Sequence, residues 1–313
     1  MSTDILQRVT VLVTLTYLPD PSKVPKLKLI HALSSGVDHL LSHALVKGPS
    51  VRLTSSCGIH GPPIAEWVAM NWLVASRKFK VLAQAQSSQT WDQVDGYLHH
   101  TEDQVGKHVG ILGYGSVGRQ IARQAVALGM TVHAYTATPK TTPQSRQQNG
   151  YIIPGTGDPH GELPTSWHHG TSRDTLRSFL SIGLDHLVVA VPLTGETTRL
   201  LGENEIQTLS SHCKNGHKPF IVNISRGKVF DQDALIESLR SGEISGAALD
   251  MTDPHPLPQG HPLWDVPNVQ LTPHISAMGQ AYFPRSFDIL SLNLERMKDG
   301  LPLINQACIT KGY

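Results

Sequence analysis

The sequence predicts an α/β protein built on a doubly wound parallel sheet. Three observations carry that prediction. From Lys107 onward, short apolar runs of strand type alternate with helical periodicity, at His108–Leu112, residues 131–135, 187–191, 220–224, Gly246–Leu249 and 269–272. The first run leads directly into Gly113-Tyr114-Gly115-Ser116-Val117-Gly118, a G-x-G-x-x-G turn. Arg119 to Leu128 follow with helical spacing, and Gly129 stands where a C-terminal capping glycine belongs, just before the second strand.

Each glycine of the turn has a separate physical task. Gly113 permits the tight turn, Gly115 lets backbone approach a pyrophosphate, and Gly118 lets the helix pack against the strand. The helix N-terminus then offers unpaired N–H groups to the phosphates. Strand, turn and helix in this order point to a bound dinucleotide, with Tyr114, Ser116 and Val117 lining the approach.

The remaining elements follow in chain order. Residues 9–15, 27–33 and 51–54 read as strands separated by turn-rich stretches such as Pro19-Asp20-Pro21-Ser22. One long helix is predicted from about Pro62-Pro63 to about Ala85. Residues 87–106 are polar, contain Trp91 and Tyr97, and read as a linker or arm. Residues 138–174, rich in Pro, Gly, Thr, His and Gln, read as an inserted surface loop. Asp231 is a good N-cap for a helix burying Leu235, Ile236 and Leu239, with Gly242 after its end. A last helix, residues 283–298, carries Phe287, Leu290, Leu294 and Met297 at core spacing.

Composition excludes several partners. The 313 residues are 39% hydrophobic and 16% charged, enough for about two domains with buried cores. A net charge of +1 gives no reason to expect nucleic acid or an anionic membrane. Cys57, Cys213 and Cys308 lie far apart, in neither a metal-ligand nor a disulfide-framework pattern, so no metal is expected and a reducing compartment suits them. Residues 1–20 lack the pattern of a signal peptide. The most apolar helical stretch, residues 64–82, is interrupted by Glu66, Asn71, Arg77, Lys78 and Lys80, which rules it out as a membrane span. The cytoplasm is the expected location.

Three motifs sit just beyond strands of the parallel sheet, where such sheets bind ligands. They are Asn223-Ile224-Ser225-Arg226-Gly227, Gly246-Ala247-Ala248-Leu249-Asp250 and Leu271-Thr272-Pro273-His274-Ile275. An arginine can grip a carboxylate with its planar fork, and a histidine can move a proton near neutral pH. An arginine, an acid and a histidine converging on one edge of a dinucleotide fold indicate a site.

With these motifs, Ser34-Ser35-Gly36-Val37-Asp38-His39, Gly58-Ile59-His60-Gly61 and Ile64-Ala65-Glu66-Trp67, the chain resembles the D-isomer-specific 2-hydroxyacid dehydrogenase family, in its glyoxylate/hydroxypyruvate reductase-like branch. The resemblance implies a Rossmann domain inserted into a smaller flavodoxin-like substrate domain. Residues 1–90 would begin the substrate domain, 91–278 would bind the dinucleotide, and 279–313 would return to the substrate domain. It further implies an oxidoreductase passing a hydride between a nicotinamide and a small 2-keto or 2-hydroxy acid. By position, Arg226 would bind the substrate carboxylate and keto oxygen, His274 would donate or accept the proton, and Gly58 and Ile59 would hold the carboxylate through backbone N–H groups. Val191, Pro192, Ser225, Arg226 and Asp250 would line the cofactor, and a homodimer is implied. Trp67, Trp91 and Met278 are expected to pack rather than read substrate.

Three positions depart from the family pattern. The acid that orients the catalytic histidine, normally five residues beyond the strand-end aspartate, is replaced by His255, which would lower the pKa of His274 if protonated. Asp253 is the one candidate substitute. At the end of the second strand, Thr136 stands where an NAD-selective member carries an acid, and Thr138 and Lys140 follow, so NADP(H) is favoured and NAD(H) remains open. The family's usual first strand is missing before residues 9–15, which would leave that strand short of a neighbour. The His255 replacement and the missing strand keep a second reading open, a weak or inactive dinucleotide-binding protein acting as a redox-responsive interaction partner.

Overall fold

Two parallel sheets organise the chain in the computed structural model, which describes residues 3–91 and 101–308. The small sheet holds β1 (Val11–Thr14), β2 (Leu29–Ala32) and β3 (Arg52–Ser55) in that order. The large sheet holds β4 (His108–Leu112), β5 (Thr131–Thr136), β6 (Ser166–His169), β7 (His186–Val189), β8 (Phe220–Asn223), β9 (Gly246–Leu249) and β10 (Val269–Leu271). Its order is β10-β9-β8-β7-β4-β5-β6, with every pair parallel. The helices are α1 (Thr3–Arg8), α2 (Ala44–Lys47), α3 (Gly61–Ser76), α4 (Phe79–Ser87), α5 (Ser116–Ala127), α6 (Pro143–Arg146), α7 (Arg173–Leu180), α8 (Glu203–Ser211), α9 (Gln232–Arg240) and α10 (Tyr282–Lys298).

The apolar runs become strands because the large sheet is covered on both faces. In β7, β8 and β9 every residue is buried, as expected when helices lie above and below a parallel sheet. One face packs Phe179, Leu209, Leu235 and Leu239 from α7, α8 and α9. The other packs Ile121 and Ala125 of α5 with Ile64, Trp67, Val68 and Trp72 of α3. Helix α3, which the sequence places within the first 90 residues, thus lies on the large sheet. Asp231 caps α9 by accepting from the Ala234 N–H, as the sequence predicts.

Helix α10 returns to the small sheet through a buried polar cluster. The His31 ring bonds Thr54 Oγ1 and Ser286 Oγ, each at 3.1 Å, and Ser56 Oγ lies 2.7 Å from Ser286 Oγ. The chain after α10 then bridges antiparallel to β3 at Thr54 and Gln306. Among the described residues β1 pairs only with β2 and so forms an edge, preceded by α1 rather than a strand.

Four expectations are corrected. The long helix of about Pro62 to Ala85 is two helices, because Lys78 adopts a left-handed φ of 55° and breaks the ladder. The stretch 138–174 is not all loop, since it contains α6, β6 and the start of α7. Strand β6 has the sequence Ser-Trp-His-His at the sheet edge, with no apolar run to announce it. On α10 the core face is Ser286, Ile289, Leu290 and Asn293, while Phe287 and Leu294 are exposed. Of the expected packing residues, Trp67 is buried, but Trp91 is 93% exposed and Met278 62%. Tyr97 and most of the predicted arm lie outside the described residues. Among the described residues no helix is long and apolar enough to cross a membrane.

His186, on central strand β7, sits against the rings of Trp72 and Phe220, and neither of its ring nitrogens has a hydrogen-bond partner. Burial lowers its pKa to about 3, while burial and neighbouring cations lower those of His60 and His133 to about 4. These rings are neutral in the fold and take up protons in the unfolded chain below its ordinary histidine pKa of about 6.5. Their contribution is therefore intact above that pH and is lost as pH falls towards 4 and below. We expect His186→Leu to raise stability by about 1–2 kcal/mol near neutral pH and to flatten this acid loss. Urea unfolding at about pH 7.5 and pH 5 checks both; an unchanged slope with pH would show that His186 is not a source.

Candidate active site

The strand order reverses between β4 and β7, and the crevice beyond their C-terminal ends is where such sheets bind ligands. The glycine turn lies at this point. Gly113 has a φ of 104°, and a Cβ there would sit 2.7 Å from the Ala190 carbonyl, so Val191 and Pro192 continue beside the turn. A Cβ on Gly118 would meet the Gly113 oxygen at 2.5 Å, which is the close helix–strand packing the sequence calls for. Gly115 is different. Its φ is −89°, and nothing lies within 4 Å of its Cβ position. It is the N-cap of α5, and no side chain caps that helix, so the first-turn N–H groups, those of Ser116 and Val117 among them, have no intrahelical partner. Open space beside an uncapped helix N-terminus fits an anionic pyrophosphate.

Tyr114 turns away from this cradle. Its ring is buried, and its hydroxyl donates to Asp158 Oδ2 at 2.8 Å, anchoring the segment that follows α6. Thr136, at the end of β5, donates through its hydroxyl to the Thr138 carbonyl, while Arg146 Nε donates to the Lys140 carbonyl. Residues 136–142 carry no carboxylate.

Asn223, the last residue of β8, shapes the arginine loop. Its Oδ1 accepts from Ser225 N–H and Oγ, and its Nδ2 donates to the carbonyls of Arg226 and Met251. A Cβ on Gly227 would fall 2.0 Å from the Thr252 carbonyl, so only glycine lets the loops after β8 and β9 meet. Arg226 then reaches across to the small domain, where Nη2 donates to Asp38 Oδ1 at 3.1 Å. Gly36 makes room, since a Cβ there would lie 2.4 Å from that nitrogen. The stretch Ser34 to His39 carries the family resemblance, but its sequence alone gives Asp38 no role.

Asp250 holds the histidine loop. It is buried, its Oδ1 accepts from Thr272 Oγ1 (2.6 Å) and Ile275 N–H (2.9 Å), and its Oδ2 accepts from Ser276 N–H (2.9 Å). His274 N–H also donates to the Asp250 carbonyl. His274 itself has a left-handed φ of 57°, a conformation this bracing over-determines. Burial lowers its pKa; Asp250 opposes that shift, and Arg226 and His255 add to it. His255 lies edge-on to His274, with ring centroids 5.3 Å apart. Asp253 hydrogen-bonds through its backbone to Gln232 and does not take up the vacant carboxylate role.

On the small-domain side, Gly58 has a φ of 98°, and the Tyr151 carbonyl oxygen lies 2.2 Å from where its Cβ would be. The Ile59 N–H turns towards the Ser56 carbonyl at 3.4 Å, which leaves Gly58 as the better donor. Cys57 Sγ lies 3.7 Å from Ser116 Oγ, so this turn closes over the phosphate cradle. Tyr151 and Arg285, which donates to the Ile59 carbonyl at 3.5 Å, are neighbours that sequence reasoning missed. No local motif marks either one.

Comparison with known proteins places the chain in a family. The profile of the "D-isomer specific 2-hydroxyacid dehydrogenase, NAD binding domain" matches residues 69–152 and 158–276. The glyoxylate reductase of Thermofilum pendens is 27% identical over 275 residues, covering 86% of this chain and 71% of that one. The glyoxylate reductase of Thermococcus gammatolerans is 31% identical over 204 residues, 65% of this chain and 52% of that one. Among solved structures, the NADPH-dependent glyoxylate/hydroxypyruvate reductase of Sinorhizobium meliloti, in complex with NADP and sulfate, superposes with a TM-score of 0.78. It is 26% identical and covers 97% of this chain and 86% of its own. A D-isomer-specific 2-hydroxyacid dehydrogenase of Xanthobacter autotrophicus, with NADPH and MES, gives 0.76 at 29% identity, over 98% and 86%. The chain belongs to the D-isomer-specific 2-hydroxyacid dehydrogenase family. It is an NAD(P)-dependent 2-hydroxyacid dehydrogenase of the glyoxylate reductase-like kind.

The glycines separate folding from binding. Gly115→Ala should leave stability within about 0.5 kcal/mol, because the backbone is relaxed and the space open, yet weaken dinucleotide binding at least about tenfold. Gly113→Ala should destabilise by at least about 1–3 kcal/mol, because the added carbon meets backbone at positive φ. Thermal unfolding and cofactor titration of the two variants check this, and equal stability losses would contradict it.

Proposed function

We propose that the chain reduces a small 2-keto acid with NADPH, using Arg226 and Gly58 to hold the substrate and His274 to protonate it. The observation that carries this reading is that Arg226 and His274, each in a loop braced by a buried partner, lie within electrostatic reach of one another at the same end of the parallel sheet as the open cradle at Gly115. When bound, the nicotinamide supplies the hydride that the keto carbon accepts. The chain's own residues do the rest. Arg226, steadied by Asp38, offers its remaining N–H groups to the carboxylate and keto oxygen. His274 delivers a proton to that oxygen, from a backbone position that Asp250 fixes.

The preference for NADPH rests on the absence of any carboxylate at residues 136–142 that would repel a 2′-phosphate, with Lys140 at hand. NADH oxidation outpacing NADPH oxidation would overturn it. A homodimer is the assembly we favour. Helix α4 buries none of its residues although it carries Phe79, Val81 and Leu82, and Met70 and Leu73 are exposed on α3. The wide spacing of Cys57, Cys213 and Cys308 along the chain is what favours the cytoplasm.

The second reading, a dinucleotide binder with little turnover, draws on His255. As a general acid with a lowered pKa, His274 loses its proton at a pH below the ordinary histidine value, so reduction should speed up as pH falls. His255→Glu places a carboxylate beside the imidazole, raises its pKa and should increase the rate about tenfold near pH 7.5, with the basic limb shifted upward. NADPH oxidation with glyoxylate across about pH 5–8 measures this, with His274→Ala as the inactive control. A slower His255→Glu enzyme would refute the role given to His255, and cofactor binding without turnover at any pH would select the second reading.

A further inference from the structure

Beside the Gly58 turn stand two polar side chains that reduction of glyoxylate does not need. Arg285, in the first turn of α10, brings Nη1 to 3.5 Å from the Ile59 carbonyl, and its charge reaches the buried His60 ring. It takes part in none of the ion pairs among the described residues. Tyr151 arrives from another segment, the insertion after β5. Its carbonyl packs on Gly58, and the preceding Gly150 abuts Asn305, where a Cβ would meet Oδ1 at 2.6 Å. Its phenol lies within electrostatic reach of both Arg285 and Asp288. The phenol oxygen hydrogen-bonds to none of the described residues.

The insertion is firmly held in this place. Asp158 accepts from Tyr114 and from the N–H groups of Glu162 and Leu163, its carbonyl accepts from Arg119, and Gln120 Oε1 accepts from Gly157 N–H. The family profile is interrupted between its two matched stretches at residues 153–157, just after Tyr151 and just before Asp158. These bonds fix the segment that carries Tyr151 beside the Gly58 turn.

We propose that Arg285 and Tyr151 form a second anion-binding subsite, and that the preferred substrate is a 2-keto acid carrying another carboxylate at its far end. The proposal rests on the reductase reading above. One carboxylate lies on Gly58 and Arg226, the keto oxygen faces His274, and the distal carboxylate meets the guanidinium fork of Arg285 and the Tyr151 hydroxyl. An arginine fork with no carboxylate of its own matches a planar carboxylate in shape as well as charge, and the bond from Nη1 to the Ile59 carbonyl leaves the other N–H groups for it. Asp288 offsets part of the positive field, which favours a singly charged carboxylate over a phosphate. Glyoxylate and pyruvate have no group to reach this pair.

The test compares kcat/KM for oxaloacetate and 2-oxoglutarate with that for pyruvate and glyoxylate, using NADPH and the full chain. We expect the dicarboxylates to be preferred, and Arg285→Gln to lower the ratio of oxaloacetate to pyruvate about ten- to hundredfold. Arg285→Lys should recover part of that ratio, and Tyr151→Phe should lower it about two- to tenfold. D-Malate should also raise the Tm of the NADP complex more than D-lactate does, with the difference erased in Arg285→Gln. Preference for the monocarboxylates, or equal losses for all substrates in Arg285→Gln, would overturn the subsite. Failure to reduce any keto acid would instead overturn the reductase reading, so the two failures are distinguishable.

Discussion

The buried carboxylate of Asp250 is the constraint on which the loop that carries His274 depends. A desolvated charge is costly unless hydrogen bonds replace its water, and here Thr272, Ile275 and Ser276 supply them. That need draws the segment after β10 around the end of β9 and holds His274 in its left-handed conformation. The histidine is therefore placed by the demand of a neighbouring buried charge, and its own backbone preference yields to that demand.

The same logic operates between loops and between domains. Asn223 satisfies both ends of its amide on the turns after β8 and β9, and Gly227 lets those turns touch. Asp38 and Gly36, in the loop after β2 of the small sheet, receive the tip of Arg226, so that side chain is oriented from the opposite sheet. The insertion after β5 ties Tyr114 and Arg119 to Asp158 and ends with Tyr151 on Gly58. The glycine turn and the Gly58 turn are consequently held together, with Cys57 and Ser116 facing each other between them.

Much of this fold is legible in the residues. Strands that are buried on both faces are continuous apolar runs, and β4, β7, β8 and β9 appear where such runs occur. The capping aspartate of α9 and the glycines of the turn act through local geometry, so they too can be read directly. Strand β6 escapes notice because an edge position asks for little burial, and its Ser-Trp-His-His sequence carries no period. The break at Lys78 is hidden because a left-handed lysine has no sequence signature. On α10, spacing points to Phe287 and Leu294, whereas the buried face uses Ser286 to bond His31 of the small sheet and Asn293 to bond Ile304 in the segment after the helix, which leaves both apolar residues outside.

The sequence by itself determined the parallel sheet and the dinucleotide turn and singled out Arg226, His274 and His255 as candidates, because each is written in contiguous residues whose chemistry is local. Only the tertiary structure decided that Asp250 spends its carboxylate on the histidine loop, that Asp38 meets Arg226, and that Tyr151 and Arg285 stand at Gly58. These pairings join residues far apart in the chain. Their partners are selected by the packing of sheets and the need to satisfy buried polar groups, and no local pattern encodes that choice.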